Sequence, residues 1–192
     1  MTVLAFTVTF HSPFRVGAAY ARDGVAAALD PDDPLPADHL KGVMRAAAGQ
    51  LLANRDHPAI FEVFGSAESP SPWSWSHATP AGENHWAISG RHRVKIDEDN
   101  HSAIKDHLVL AEQAWVPTAW FTVSRVGLIA PAGLSESSQV SLLRCAAAGV
   151  HGLGAWRRRG LGWVGITPGN GQVTAADIAV IRALAGAGEV VR

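Results

Sequence analysis

The chain has 192 residues, 47% of them hydrophobic, and a formal net charge of −1. That is enough apolar material for one sizeable core, and the length falls in the range of a single decorated domain over residues 1–192. A membrane protein is excluded because no apolar run approaches the ~18 residues of a span, and the N-terminus lacks the basic-then-apolar pattern of an export signal.

The single cysteine, Cys145, excludes an intramolecular disulfide and a Cys-rich zinc site, and it reads as a buried thiol in a reducing cytoplasm. Near-neutral charge taken alone argues against nucleic acid, since phosphate binders usually carry a basic excess. Its distribution argues otherwise. Basic residues gather at Lys41/Arg45, at Arg91/Arg93/Lys95 and at Arg157/Arg158/Arg159, and acids at Asp30/Asp32/Asp33 and Asp97/Glu98/Asp99. Such a chain is able to present one positive face.

Along the chain, VLAFTVTF at 3–10 alternates as a strand, with Leu4, Phe6, Val8 and Phe10 on one side. An irregular Gly-, Ala-, Asp- and Pro-rich stretch from Ser12 to Pro36 reads as a functional loop. Asp38 then opens the clearest helix, in which Leu40, Val43, Met44, Ala47 and Leu51 recur at helical spacing. Lys41 and Arg45 lie four apart on another face of it, as a solvated pair or as a phosphate contact.

From Asp56 to about His107 the periodicity breaks up around Pro70, Pro72, Pro80 and Gly82, and the stretch 56–106 reads as an insertion. Within it only ISGRHRVKI at 88–96 alternates, placing Arg91, Arg93 and Lys95 on one side of a basic ribbon. Strands at 107–116 and 119–129, joined by Pro117-Thr118, read as a hairpin. A second helix follows at 136–149, then a glycine-rich loop, a short strand at 161–167 and a last amphipathic helix at about 174–186. The resulting order is βαββαβ. That is the α+β, ferredoxin-like (RRM-like) arrangement of two helices on one face of a four-stranded antiparallel sheet, with a long insertion between the first helix and the second strand.

The loop HGLGAWRRRGLGW sets Gly152, Gly154, Gly160 and Gly162 around Arg157, Arg158 and Arg159. Glycines permit positive φ and close approach to backbone N–H groups, which suits a phosphate cradle. The loop lacks the Gly-Lys-Ser/Thr ending of a Walker motif, and its helix-to-strand context is not that of a dinucleotide fingerprint. The alternative is a tight helix-to-strand turn with exposed arginines.

PLPADHLKGVMR (34–45), VFGS (63–66), RHRVKID (91–97) with AEQAW (111–115), and GLGAWRRRGLGWV (152–164) resemble, in this order, the motifs of the RAMP superfamily of CRISPR-associated proteins. The chain looks most like the backbone subunits of type III effector complexes. The resemblance implies an RNA-binding subunit in antiviral defence that self-associates along a guide (CRISPR) RNA, beside other RAMP-type, large and small subunits, and meets a target RNA. It further implies guide phosphates on Lys41, Arg45 and the 157–159 arginines, and a thumb formed by the insertion, with Trp73 or Trp75 stacking on or wedging between bases.

In such subunits an acidic residue ahead of the Leu-Lys-Gly helix cuts target RNA with a divalent metal such as Mg²⁺. Asp23 is the best-placed match, with Asp30, Asp32 and Asp33 as competitors. The chain departs from the family where Ala37-Asp38-His39 replaces the usual Gly-Ser-Ser, because an aspartate there repels phosphate unless it caps the helix. Two other functions remain open. One is a metal-independent, guide-processing endoribonuclease using His11 or His39 as general base; the other is an accessory interaction protein without RNA. The nine histidines are scattered and define no metal site.

Overall fold

In chain order the elements are β1 (Val3–Phe10), α1 (Ala37–Leu51), α2 (Pro58–Phe64), β2 (Trp73–Trp75), β3 (Thr79–Pro80), β4 (Ala87–Arg93), β5 (Val109–Trp115), β6 (Thr118–Arg125), α3 (Glu136–Ala148), β7 (Val164–Pro168) and α4 (Ala175–Glu189). They are seen in a computed structural model that describes residues 2–18, 25, 27–94, 96–104, 108–129, 133–169 and 171–189. β1 sits between β6 and β7, antiparallel to both, and β2 pairs antiparallel with the far edge of β6. The sheet order β2-β6-β1-β7 therefore interleaves two βαβ halves, β1-α1-β2 and β6-α3-β7. This is the ferredoxin-like arrangement.

Alternation along β1 and β6 sends Phe6, Val8, Phe10, Phe121 and Val123 to one face, where Phe6 stacks on Phe121 at 5.2 Å between ring centres. α1 closes over that face with Leu40, Met44, Ala47 and Ala48, and α3 with Leu142, Leu143, Ala146 and Ala147. The small residues let the two helices pack side by side. Ser135 caps α3 by accepting from the Ser138 N–H.

Two expectations are corrected by the sheet pairing. Residues 107–116 do not form the second strand of the main sheet. Their core, β5, pairs instead with β4 in a separate ribbon, with Ala87 opposite Trp115 and Arg93 opposite Val109. The β1–α1 loop lies along that ribbon, through reciprocal Phe14–Ala114 backbone hydrogen bonds at 2.8 Å and an Ala27–Ala111 bridge. The edge of β6 is already taken by β2, with Trp75 opposite Val123, so β5 has no place there.

The second correction follows from the first. The stretch 56–106 is not one insertion, because α2 and β2 belong to the main layers and the chain leaves the main sheet only after β3. Trp73 and Trp75 are strand residues facing the core, 2% and 8% exposed. Trp73 donates its indole N–H to Gln139 Oε1 at 2.7 Å, and Trp75 stacks on Phe64 and points its N–H at Met44. Burial leaves neither ring able to stack on or wedge between bases.

α4 is docked by a capping box. Thr174 Oγ1 accepts from the Asp177 N–H, and Asp177 Oδ2 accepts from the Thr174 N–H at 2.9 Å. Asp177 also accepts from the Ser141 hydroxyl at 2.7 Å and faces Arg144, which fastens α4 to α3. Burial raises its carboxyl, but hydrogen bonds from Thr174 and Ser141 together with Arg144 outweigh this and leave it below the usual range. Its stabilising effect is therefore present above the unfolded aspartate range and lost as pH falls through the folded value. Asp177→Ala is expected to cost about 1–2 kcal/mol in denaturant unfolding at pH 7, and the gap to the native chain should close as the pH drops below about 4.

Candidate nucleic-acid interface

The glycine-rich loop is built by close backbone contact rather than by flexibility. Gly162 has φ +74°, and a Cβ there would stand 2.0 Å from the Leu153 carbonyl oxygen; at Gly154, φ +74°, it would stand 2.4 Å from the Arg15 carbonyl oxygen. Gly162 N–H donates to Pro13 O and Ala155 N–H to Arg15 O, both at 2.7 Å, while Leu153 N–H donates to Gly162 O at 2.9 Å. Leu153 and Leu161 are buried beneath the loop. The loop is thereby pinned to residues 13–15, just past the end of β1.

Between these anchors Arg157–Arg159 form one turn of 3-10 helix, flanked by Trp156 and Gly160, both left-handed. All three arginines are exposed, and none makes an ion pair or side-chain hydrogen bond among the described residues. Arg15 supports the turn from below. Its guanidinium lies 5.1 Å from the Trp156 ring centre and donates to the carbonyls of Ala27 and Ala28, tying the arginine turn to the segment along β5. Sequence reasoning missed Arg15, whose only signal is its place in the long loop after β1.

α1 meets the loop through His39, whose Nε2 accepts the Gly154 N–H at 2.9 Å. Burial, and then the nearby Arg157, hold His39 below the ordinary imidazole range, which preserves the neutral form that accepts this bond. The Nε2 lone pair is thus committed to the loop and is not a free general base. Behind it a groove of about 300 Å³ runs between the loop and α1, lined by Gly42, Val43, Ala46, Gln50, His151 and Arg157 among others.

Lys41 and Arg45 stand on a different side of α1. Lys41 Nζ lies 5.5 Å from the Trp75 ring centre, and Arg45 donates to Gly65 O at 2.9 Å with its guanidinium over Phe61. Both side chains are half-buried, and α1 does not turn them toward the arginine loop. Asp38 is exposed in the first turn and does not cap the helix, whose N-cap is Pro36 without a side-chain bond. The start of α1 is therefore a poor place for phosphate.

On the ribbon, Arg91 is exposed and Arg93 lies two residues along the same strand; Lys95 falls outside the described residues. Asp23 also lies outside them. Of its competitors, Asp30 accepts from the Asp32 N–H, and Asp33 is paired with His77 at 2.6 Å. His11 is exposed, with its ring 4.7 Å from that of Trp163. Among the described residues no group of three or more His, Cys, Asp or Glu side chains is placed to hold a metal ion, and no helix is long and apolar enough to cross a membrane.

No protein-family model and no curated protein matches the chain. Among solved structures it is similar to a chain of "Cryo-EM structure of the Type III-B Cmr-beta bound to cognate target RNA", with a TM-score of 0.62, 15% identity and 90% of this chain covered. The match covers 61% of that chain, so the protein spans less than two thirds of its structural neighbour. At this identity the likeness is one of fold.

Gly162→Ala is expected to destabilise by at least about 2–3 kcal/mol, because strain at positive φ adds to a backbone clash. Gly160→Ala, also at positive φ (+80°) but with nothing within 4 Å, should cost only about 1 kcal/mol. Denaturant unfolding of the two variants checks the difference.

Proposed function

We propose that the chain is a CRISPR RNA-binding subunit of a type III effector ribonucleoprotein, and that it grips guide phosphates chiefly with Arg157, Arg158 and Arg159. The observation that carries this reading is the arginine turn itself: three exposed cations without acidic partners among the described residues, held by positive-φ glycines on a loop that is pinned before any ligand arrives. A backbone pinned in advance loses little freedom on binding, and guanidinium is suited to bidentate contact with phosphate. The groove beside Gly42 and Ala46 offers a backbone room to approach α1 without bulky side chains. Arg91 and Arg93 on the ribbon form a second basic contact, and Lys95 extends it in sequence.

The fold shared with a chain of a type III-B complex bound to target RNA supports the same reading. It makes the other effector subunits and a target RNA the natural partners. Lys41 and Arg45 act in it as supports for α2 and β2 more than as phosphate ligands.

Replacing Arg157, Arg158 and Arg159 together by alanine should weaken binding to single-stranded RNA and reduce the salt slope of affinity by roughly 0.7 for each phosphate no longer neutralised. The fold should be largely unchanged, since the three exposed side chains make no hydrogen bond or ion pair among the described residues. An unaltered slope, read by anisotropy across salt concentrations, would refute the phosphate role and leave a protein-interaction function.

Metal-dependent cleavage of a paired target at Asp23 is a separable part of the proposal. Mg²⁺ held by that carboxylate would supply charge neutralisation at the scissile phosphate. Asp23→Ala should abolish Mg²⁺-dependent cutting of a complementary target while guide affinity stays within about twofold, since a single carboxylate offers no attraction to the guide's phosphates. Equal cutting by the variant would assign the role elsewhere.

A further inference from the structure

The helices cover one face of the main sheet and leave the other bare. On the bare face the outward residues of β1, β6 and β7 are almost all small or hydroxylated. Register sets Trp120 of β6, Thr7 of β1 and Thr167 of β7 in one row across the sheet, with Thr122 opposite Ala5 and Thr9 opposite Gly165 in the neighbouring rows. Two indoles stand out of this surface, Trp120 at 45% and Trp163 at 63% exposure. Neither belongs to the buried core, and both present part of an indole to any partner that meets this face.

We infer that this open face is a base-stacking platform for single-stranded RNA, continuous with the arginine loop; it rests on the reading of that loop as a phosphate grip. Three observations favour bases over other occupants. No outward position on β1, β6 or β7 carries a charged side chain, so the face is unsuited to phosphates but suited to rings stacked on indole and base edges bonded to hydroxyls. The large apolar side chains are separated by threonines and small residues, unlike the contiguous apolar centre of a protein interface.

The third observation is continuity. Trp163 directly follows Gly162, its N–H is fixed by Ser12 Oγ at 2.9 Å, and the His11 ring rests 4.7 Å from its own. A strand whose phosphates sit on Arg157–Arg159 therefore meets Trp163 first. Strand geometry puts Trp120 roughly 16 Å further across the sheet, two strands over and four residues along, which leaves space for a few intervening nucleotides above Thr9 and Thr7.

The test uses the full chain, an unstructured RNA oligonucleotide and an abasic oligonucleotide of the same length, read by anisotropy. Trp120→Ala and Trp163→Ala should each weaken RNA binding about tenfold with the salt slope unchanged. Trp120→Phe should restore most of the loss, and on the abasic strand the variants should match the native chain. Native protein that binds abasic and normal RNA equally overturns the platform, whatever the variants do. So do tryptophan variants with native affinity when the triple arginine variant loses binding, an outcome that leaves the loop reading intact. Failure of native protein to bind RNA at low salt removes both. A native dimer that Trp120→Ala converts to monomer, with RNA affinity unaltered, would also overturn the platform and make the face an interface between copies.

Discussion

The backbone of Gly162 lies against Leu153 at a distance no side chain permits while its N–H bonds to Pro13 O, and the placement of the arginine turn depends on that approach. Because Gly162 N–H reaches Pro13 O, the chain entering β7 is held to the chain leaving β1, and His11 N–H continues the ladder to Trp163 O at 2.9 Å. Because Gly154 passes over the Arg15 carbonyl, the intervening arginine turn has to arch outward, and Arg15 and Trp156 fill the space beneath it. Polar backbone contacts thus position three cations that no ion pair orders among the described residues. His39 adds a side-chain bond from α1 to Gly154, and it does so as a neutral ring, so the loop gains an anchor without a further charge.

Under the proposed function, this arrangement reconciles a net charge of −1 with a phosphate partner. Surface electrostatics at physiological salt act over about 8 Å, so the local excess at Arg157–Arg159 matters more than the total. Three of the described acids are engaged elsewhere. Asp30 closes its own turn, Asp33 is paired with His77, and Asp177 is spent on the cap of α4. Asp38 is the exception: exposed in the first turn of α1, it favours the helix dipole and disfavours an anion there. The groove beside α1 is lined by Gly42 and Ala46, one turn further along.

Much of the fold was legible in local pattern. The alternation of 3–10, the apolar stripe through Leu40, Met44 and Ala47, and the positions of α3, α4 and β7 are each dictated by side chains that must enter the core. Pairing was not legible, because alternation specifies a face and not a partner. HLVLAEQAWV reads the same whether it joins the main sheet or a ribbon, and the three residues of β2 are too few to show a period amid prolines. That one error carried the tryptophans with it: Trp73 and Trp75 read as insertion aromatics and are core, whereas Trp120 and Trp163, lost in apolar stretches, are exposed on the bare face of the main sheet. The arginine turn was legible as composition. Its support from Arg15 and His39 was not, since those contacts join segments 115 or more residues apart.

Ultraviolet cross-linking of the full chain to a single-stranded RNA, followed by mass spectrometry of the attached peptides, tests the central claim most directly. The account predicts that the dominant cross-linked peptide lies within 152–164, the arginine turn with Trp163. Efficient cross-linking confined to other segments, with this peptide unmodified, would contradict it.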